Sequence, residues 1–228
     1  MKNQQSGFTL VEIAIVLVII GLLLGGVLKG QELINSAKVK NMVGDFRTVS
    51  TLVYGYQDRF KAFPGDQSQA QLDAAFGAGV ATVCTGSTGC APNNGRIDGD
   101  WNSGGADGKG VTTSETSVFW QHVRLANLAT GPTKLDDLNY RPRNADSGFI
   151  GIESGTPAPW IKDMRGSFFV CSDGILGRYA KQIDTTMDDG NTAGGSVQVA
   201  KVDAKRGDAA VETKDIVDST PYTVCTSY

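Results

Sequence analysis

The sequence predicts an α+β fold in which a long N-terminal helix packs on an antiparallel β-sheet, with extra short helices and loops. Three observations carry that prediction. From Phe8 to Leu28 the chain has no charge except Glu12. Beyond it, Val39, Met42, Val43, Phe46, Val49, Val53, Tyr56 and Phe60 recur at spacings of three and four, the period of a helix with one apolar face. Four short apolar or alternating runs, separated by turn residues, follow at Ser147–Ile152, Ser167–Cys171, Ser196–Val202 and Tyr222–Cys225, as an antiparallel sheet requires.

The first helix starts near Phe8 and continues to about Ala62, where Phe63-Pro64-Gly65-Asp66 stops it. At 1.5 Å per residue it is on the order of 80 Å long, and its first part, residues 8–28, is about 30 Å, the hydrocarbon thickness of a bilayer. Residues 29–63 form its amphipathic half and residues 64–228 one globular head. Glycines at 21, 25, 26, 30, 44 and 55 weaken the helix by about 1 kcal/mol each relative to alanine. Glu12 costs about 2.5 to 3.5 kcal/mol at the centre of a membrane helix, so it belongs near the interface or beside a partner.

Residues 67–76 read as a short helix. Thr112-Thr113-Ser114-Glu115 has the pattern of a capping box, opening a helix to Leu128 whose face is Val118, Phe119, His122, Leu125 and Leu128. A further helix, Tyr179–Met187, lies between the second and third strands, while Ser154-Gly155 and Ser172-Asp173-Gly174 read as turns. Trp101, Trp120 and Trp160 read as core or domain-edge residues.

Four cysteines, Cys84, Cys90, Cys171 and Cys225, allow three pairings. The expected bridges are Cys84 with Cys90, a local staple, and Cys171 with Cys225, tying a strand to the extreme C-terminus; the chain-entropy model assigns about 2 and about 4 kcal/mol to them. Zinc fits poorly, because there is no C-x-x-C pair and the single histidine, His122, lies in a helical pattern.

Two loops have the oxygen donors a hard cation needs. The first, Gly77 to Gly110, contains Asn93, Asn94, Asp98, Asp100, Asn102 and Asp107, although its spacing is not that of an EF-hand. The second contains Asp184, Asp188, Asp189 and Asn191. The net charge of −3 gives no general attraction to nucleic acid; Lys134, Arg141, Arg143, Lys162 and Arg165 form the candidate basic cluster. Neither a G-x-S-x-G elbow nor a phosphate-binding glycine loop is present, and no enzymatic activity is expected.

The junction Gly7-Phe8-Thr9-Leu10-Val11-Glu12 follows a short polar leader, Met1 to Gly7, that precedes the apolar run. A secretory signal peptide would instead place its cleavage site after such a run. The junction resembles the prepilin cleavage and N-methylation site of type IV pilins and type II secretion pseudopilins. The resemblance implies that a membrane prepilin peptidase cuts between Gly7 and Phe8 and methylates the Phe8 amine, so that 221 of the 228 residues remain once the seven-residue leader is lost. It implies the ladle shape of that family and a role for Glu12 as countercharge to the amine of a neighbouring subunit. At about 4 Å and an effective dielectric near 20, two such charges interact by about 4 kcal/mol.

Further implications concern place and partners. The chain is expected to sit in the bacterial inner membrane as a single pass with a periplasmic C-terminus, and afterwards in an extracellular pilus or a periplasmic pseudopilus. Its partners would be other pilins in a homo- or hetero-polymer, the prepilin peptidase, an inner-membrane assembly platform and, before assembly, membrane lipid; nucleic acid is not expected. No cofactor is required, but the family's secretion pseudopilins carry calcium in a loop near the C-terminal sheet, where Asp184, Asp188 and Asp189 lie here. Lys29 stands where the family's major subunits usually carry proline. The leading function is a pilus subunit, with a secretion pseudopilin and a minor pilin acting as an adhesin or DNA-binding subunit as alternatives.

Overall fold

The computed structural model describes residues 10–86, 88–155 and 157–228; the processing positions Gly7 and Phe8 lie outside the described residues. The chain divides after Lys38, the second unit being Val39–Tyr228. Helix α1 runs from Leu10 to Phe60. In its first part every described side chain up to Leu28 is exposed. From Val39 onward one face is buried: Val39, Met42, Val43, Phe46, Val49, Leu52, Val53 and Tyr56 enter the core of the second unit. That burial is why the second unit begins inside the helix.

The remaining helices are α2 (Gln69–Phe76), α3 (Glu115–Leu125) and α4 (Gly177–Met187). The strands are β1 (Ile150–Glu153), β2 (Phe169–Leu176), β3 (Val197–Lys201) and β4 (Pro221–Ser227). They form one antiparallel sheet in the order β1-β2-β4-β3. Successive strand residues point to opposite faces. Val170, Val197, Val199 and Val224 therefore join the core shared with α1, α3 and α4. Phe169, Cys171, Ala200 and Cys225 point the other way, into a second cluster with Trp101, Trp160, Ile161 and Met164. Burying about 150 to 250 Å² per tryptophan, this cluster covers the sheet face that α1 leaves open.

Three local readings change. Ser172-Asp173-Gly174 is not a turn: β2 continues through it with a bulge between Ser172 and Ile175, where Gly174 takes a φ of 68°. The Thr112 capping box does not form. Ser114 is the N-cap of α3, and the Glu115 side chain turns inward to accept from the Ala91 and Asp98 N–H groups, 2.8 Å each. Helix α3 also ends early, at Leu125, because Asn127 adopts a φ of 58°.

Helix α3 is buried from Glu115 to Arg124, so its polar side chains need internal partners. The Gly65 N–H donates to His122 Nδ1 (2.9 Å), and His122 Nε2 donates to the Thr82 carbonyl (2.9 Å). Gly65, at φ 97°, sits so close to α3 that a Cβ would lie 2.6 Å from the Glu115 carbonyl oxygen. Glycine is required there.

Candidate functional site

The first candidate is the N-terminal part of α1. Its most apolar 18-residue window has a mean hydropathy of 2.8 and no buried residue. Val16, Leu17, Val18 and Ile19, four consecutive residues that go once round the helix, are all exposed, so the apolar surface covers every side; it is suited to lipid or to other helices and unsuited to water. Glu12 lies in the first turn and is exposed in the single chain. At the far end of this segment Lys29 Nζ pairs with Glu32, 2.6 Å away on the surface.

The structure disperses the acids of the first loop. Asp100 Oδ1 accepts from Arg206 Nε and Nη2 at 2.9 and 2.7 Å. Asp107 is tied to Lys109, by its backbone N–H (3.2 Å) and by Nζ (3.1 Å), which holds its carboxyl below the ordinary range. Asn102 is exposed, and Asp98 takes the Asn94 amide on one oxygen at 2.7 Å while the other is buried with no donor among the described residues. Among the described residues these four side chains form no common group of cation ligands.

The second loop is different. Asp184, Asp188 and Asp189 each place a carboxylate oxygen within 4.8 Å of the others. Asp184 is fully buried at the end of α4, and neither of its oxygens meets a donor among the described residues. Burial, then the neighbouring Asp188 and Asp189, pushes its carboxyl up to about 6. Asp188 is oriented by the Ser196 and Val197 N–H groups at the start of β3, and Asp189 by the Asn191 N–H at 2.9 Å. A buried carboxylate whose two oxygens meet no donor among the described residues, beside two more acids, is a donor set of the kind that suits a hard divalent cation.

Both expected disulfides are present: Cys84–Cys90, and Cys171–Cys225, whose residues face each other across β2 and β4. Cys84, Cys90 and Glu115 also cluster, but the two sulfurs are bonded to each other and leave no thiolate for a metal. His122 is fully buried, and burial lowers its pKa to about 4. With both ring nitrogens holding backbone groups, it has no free atom for catalysis. The basic cluster is not a single exposed face either, because Arg141 is buried against the Phe149 ring, 3.9 Å from its centroid.

Sequence reasoning missed one charged centre. Arg206 reaches into the Trp cluster, where Nη2 pairs with the fully buried Glu153 at 2.6 Å and with Asp100 at 2.7 Å. Glu153 also accepts from the backbone N–H groups of Trp101 and Trp160 at 3.0 and 3.1 Å. Partners 53 and 106 residues apart leave no local signal.

Comparison with protein families gives a match to the prokaryotic N-terminal methylation motif over residues 2–28. Comparisons with curated proteins and with solved structures gave no match. The motif points to a structural subunit rather than an enzyme, and the apolar helix that follows it fits membrane anchoring. With this motif at the head of an apolar helix and an antiparallel α+β head behind it, the chain carries the N-terminal signature of type IV pilins and pseudopilins.

Proposed function

We propose that this chain is a structural subunit of a type IV pilus or a related filament, cut between Gly7 and Phe8, N-methylated at Phe8 and polymerised through its N-terminal helix. The observation that carries the reading is the methylation motif at residues 2–28 followed by helix surface that is apolar on all sides. Such a surface is stable in lipid before assembly and among other such helices after it. Glu12 then gives the packed helices a register, by pairing with the methylated amine of a neighbour. Other pilins, a prepilin peptidase and an inner-membrane assembly platform are the partners this requires.

The test has two parts. Intact mass of the membrane-extracted chain should show loss of residues 1–7 and gain of one methyl group. Glu12→Ala should leave the protein in the membrane but absent from sheared filaments; wild-type filament content in that variant would overturn the assembly role.

A secretion pseudopilin is the second reading, favoured by the Asp184, Asp188 and Asp189 cluster. In either filament, these three residues would hold a structural calcium that neutralises their charge and joins the end of α4 to the start of β3.

A further inference from the structure

The two disulfides differ in access and in chemistry. Cys171 and Cys225 are both fully buried, within the cluster of Trp101 and Trp160. Cys90 is half-buried and lines a cleft of about 640 Å³ together with Thr88, Gly89, Ala91 and Arg206, whereas its partner Cys84 is only 4% exposed. An external thiolate therefore reaches Cys90 first. The sulfur it displaces is Cys84, and Glu115 Oε1 lies 3.7 Å from it.

Glu115 is fully buried, and the Ala91 and Asp98 N–H groups fix its carboxyl in place. Burial pushes it up to about 7, those two N–H groups pull the other way, and Asp66 and Asp98 add to the rise. Arg206 on the cleft wall is engaged by Asp100 and Glu153, and His122 further along α3 is neutral at pH 7. The carboxyl therefore holds a proton near neutral pH. A bare thiolate at Cys84 would face three acids in a buried site.

We propose that Cys84–Cys90 is a thiol-exchange site, entered at Cys90 by an external dithiol, with the Glu115 carboxyl as proton donor to the departing Cys84 sulfur. The attacking thiolate forms a bond to Cys90 Sγ as the Cys84–Cys90 bond breaks, and the electron pair leaves on Cys84, which takes the Glu115 proton. The second thiol of the dithiol, as thiolate, then attacks the mixed disulfide and releases Cys90 as thiolate, which is protonated from water. The dithiol is oxidised to its disulfide and both cysteines are reduced. Glu115 regains its proton from water.

The test uses the full chain in detergent micelles with dithiothreitol, reading each cysteine by alkylation and mass spectrometry. Cys84–Cys90 should be reduced at least about tenfold faster than Cys171–Cys225, since exchange requires access to sulfur. Expressed per dithiothreitol thiolate, its rate constant should fall as pH rises from about 6 to about 8, because the donor loses its proton over that range. Glu115→Gln should slow the exchange by about 100-fold at pH 6 and abolish the pH dependence. Should that variant not fold, as judged by an unprotected Cys171–Cys225, the wild-type pH profile decides. Equal reduction of the two disulfides, or a per-thiolate rate constant that is flat across this range, would overturn the proposal.

Discussion

Replacing Arg206 by methionine isolates one charge that the second unit depends on. The side chain is 17% exposed and forks onto Glu153, donating from Nη1 at 3.0 Å and from Nη2 at 2.6 Å, while also donating to the Gly99 carbonyl at 3.1 Å. Methionine keeps much of the aliphatic volume and removes the charge. Glu153, fully buried, then retains, among the described residues, the backbone N–H groups of Trp101 and Trp160. Removing one partner of a buried ion pair costs about 3 to 5 kcal/mol. For a unit of this size that corresponds to about 10 °C in Tm.

The pH response of this variant adds a second check. Burial already raises the Glu153 carboxyl pKa, and Arg206 is the main influence pulling it down. Without Arg206 it rises further. A folded pKa above the unfolded one means that full stability is present at low pH and is lost as pH rises toward the folded value, by up to about 1.4 kcal/mol per pH unit. Urea titrations of the full chain in detergent should therefore show the gap between wild type and Arg206→Met widening from pH 5 to pH 8. Adding Glu153→Gln should recover at least half the loss. A single variant within about 1 kcal/mol of wild type, or a double variant no more stable than the single, would refute the reasoning.

Two other measurements address separate parts of the molecule. Asp184→Asn should melt higher than wild type in EDTA, because it removes a buried charge, and lower in calcium, because it removes a ligand; calcium at about 100 times Kd should stabilise only the wild type, by about 2.7 kcal/mol. Without calcium, stability should decline as pH rises through about 6, since the folded Asp184 pKa lies above its unfolded value. A wild-type Tm unchanged by EDTA would remove the cation from the account. Replacing Cys171 and Cys225 by serine should cost about 4 kcal/mol, against about 2 for Cys84 and Cys90, in line with sequence separations of 54 and 6; equal losses by denaturant titration would contradict that ranking.

Much of the fold was legible because it is written in local periods. The spacing from Val39 to Phe60 defines the buried face of α1, and each of the four short runs overlaps an observed strand. The cysteine pairs were legible because Cys84 and Cys90 are close in sequence, leaving Cys171 for Cys225. What was not legible depends on distant partners. Glu115 matched a capping box, but the chain near Ala91 and Asp98 folds over it and offers better donors than the Thr112 N–H. Asp98, Asp100 and Asp107 alternate like cation ligands, yet Arg206 and Lys109 claim two of them. Asp184 shows the converse: its place beside Asp188 and Asp189 was readable as a set of oxygen donors, whereas its complete burial, which depends on the surrounding fold, was not.

The sheet order β1-β2-β4-β3 also governs when the head can mature. Strand β4, Pro221–Ser227, lies between β2 and β3 and pairs with both, so neither neighbour has its inner edge satisfied until β4 arrives. A nascent polypeptide stopped before Pro221 would present two open backbone edges and the unpaired thiol of Cys171. Maturation of the sheet is thus tied to the arrival of β4. Until Cys225 is in place, the emerging chain offers those edges and that thiol to chaperones and proteases.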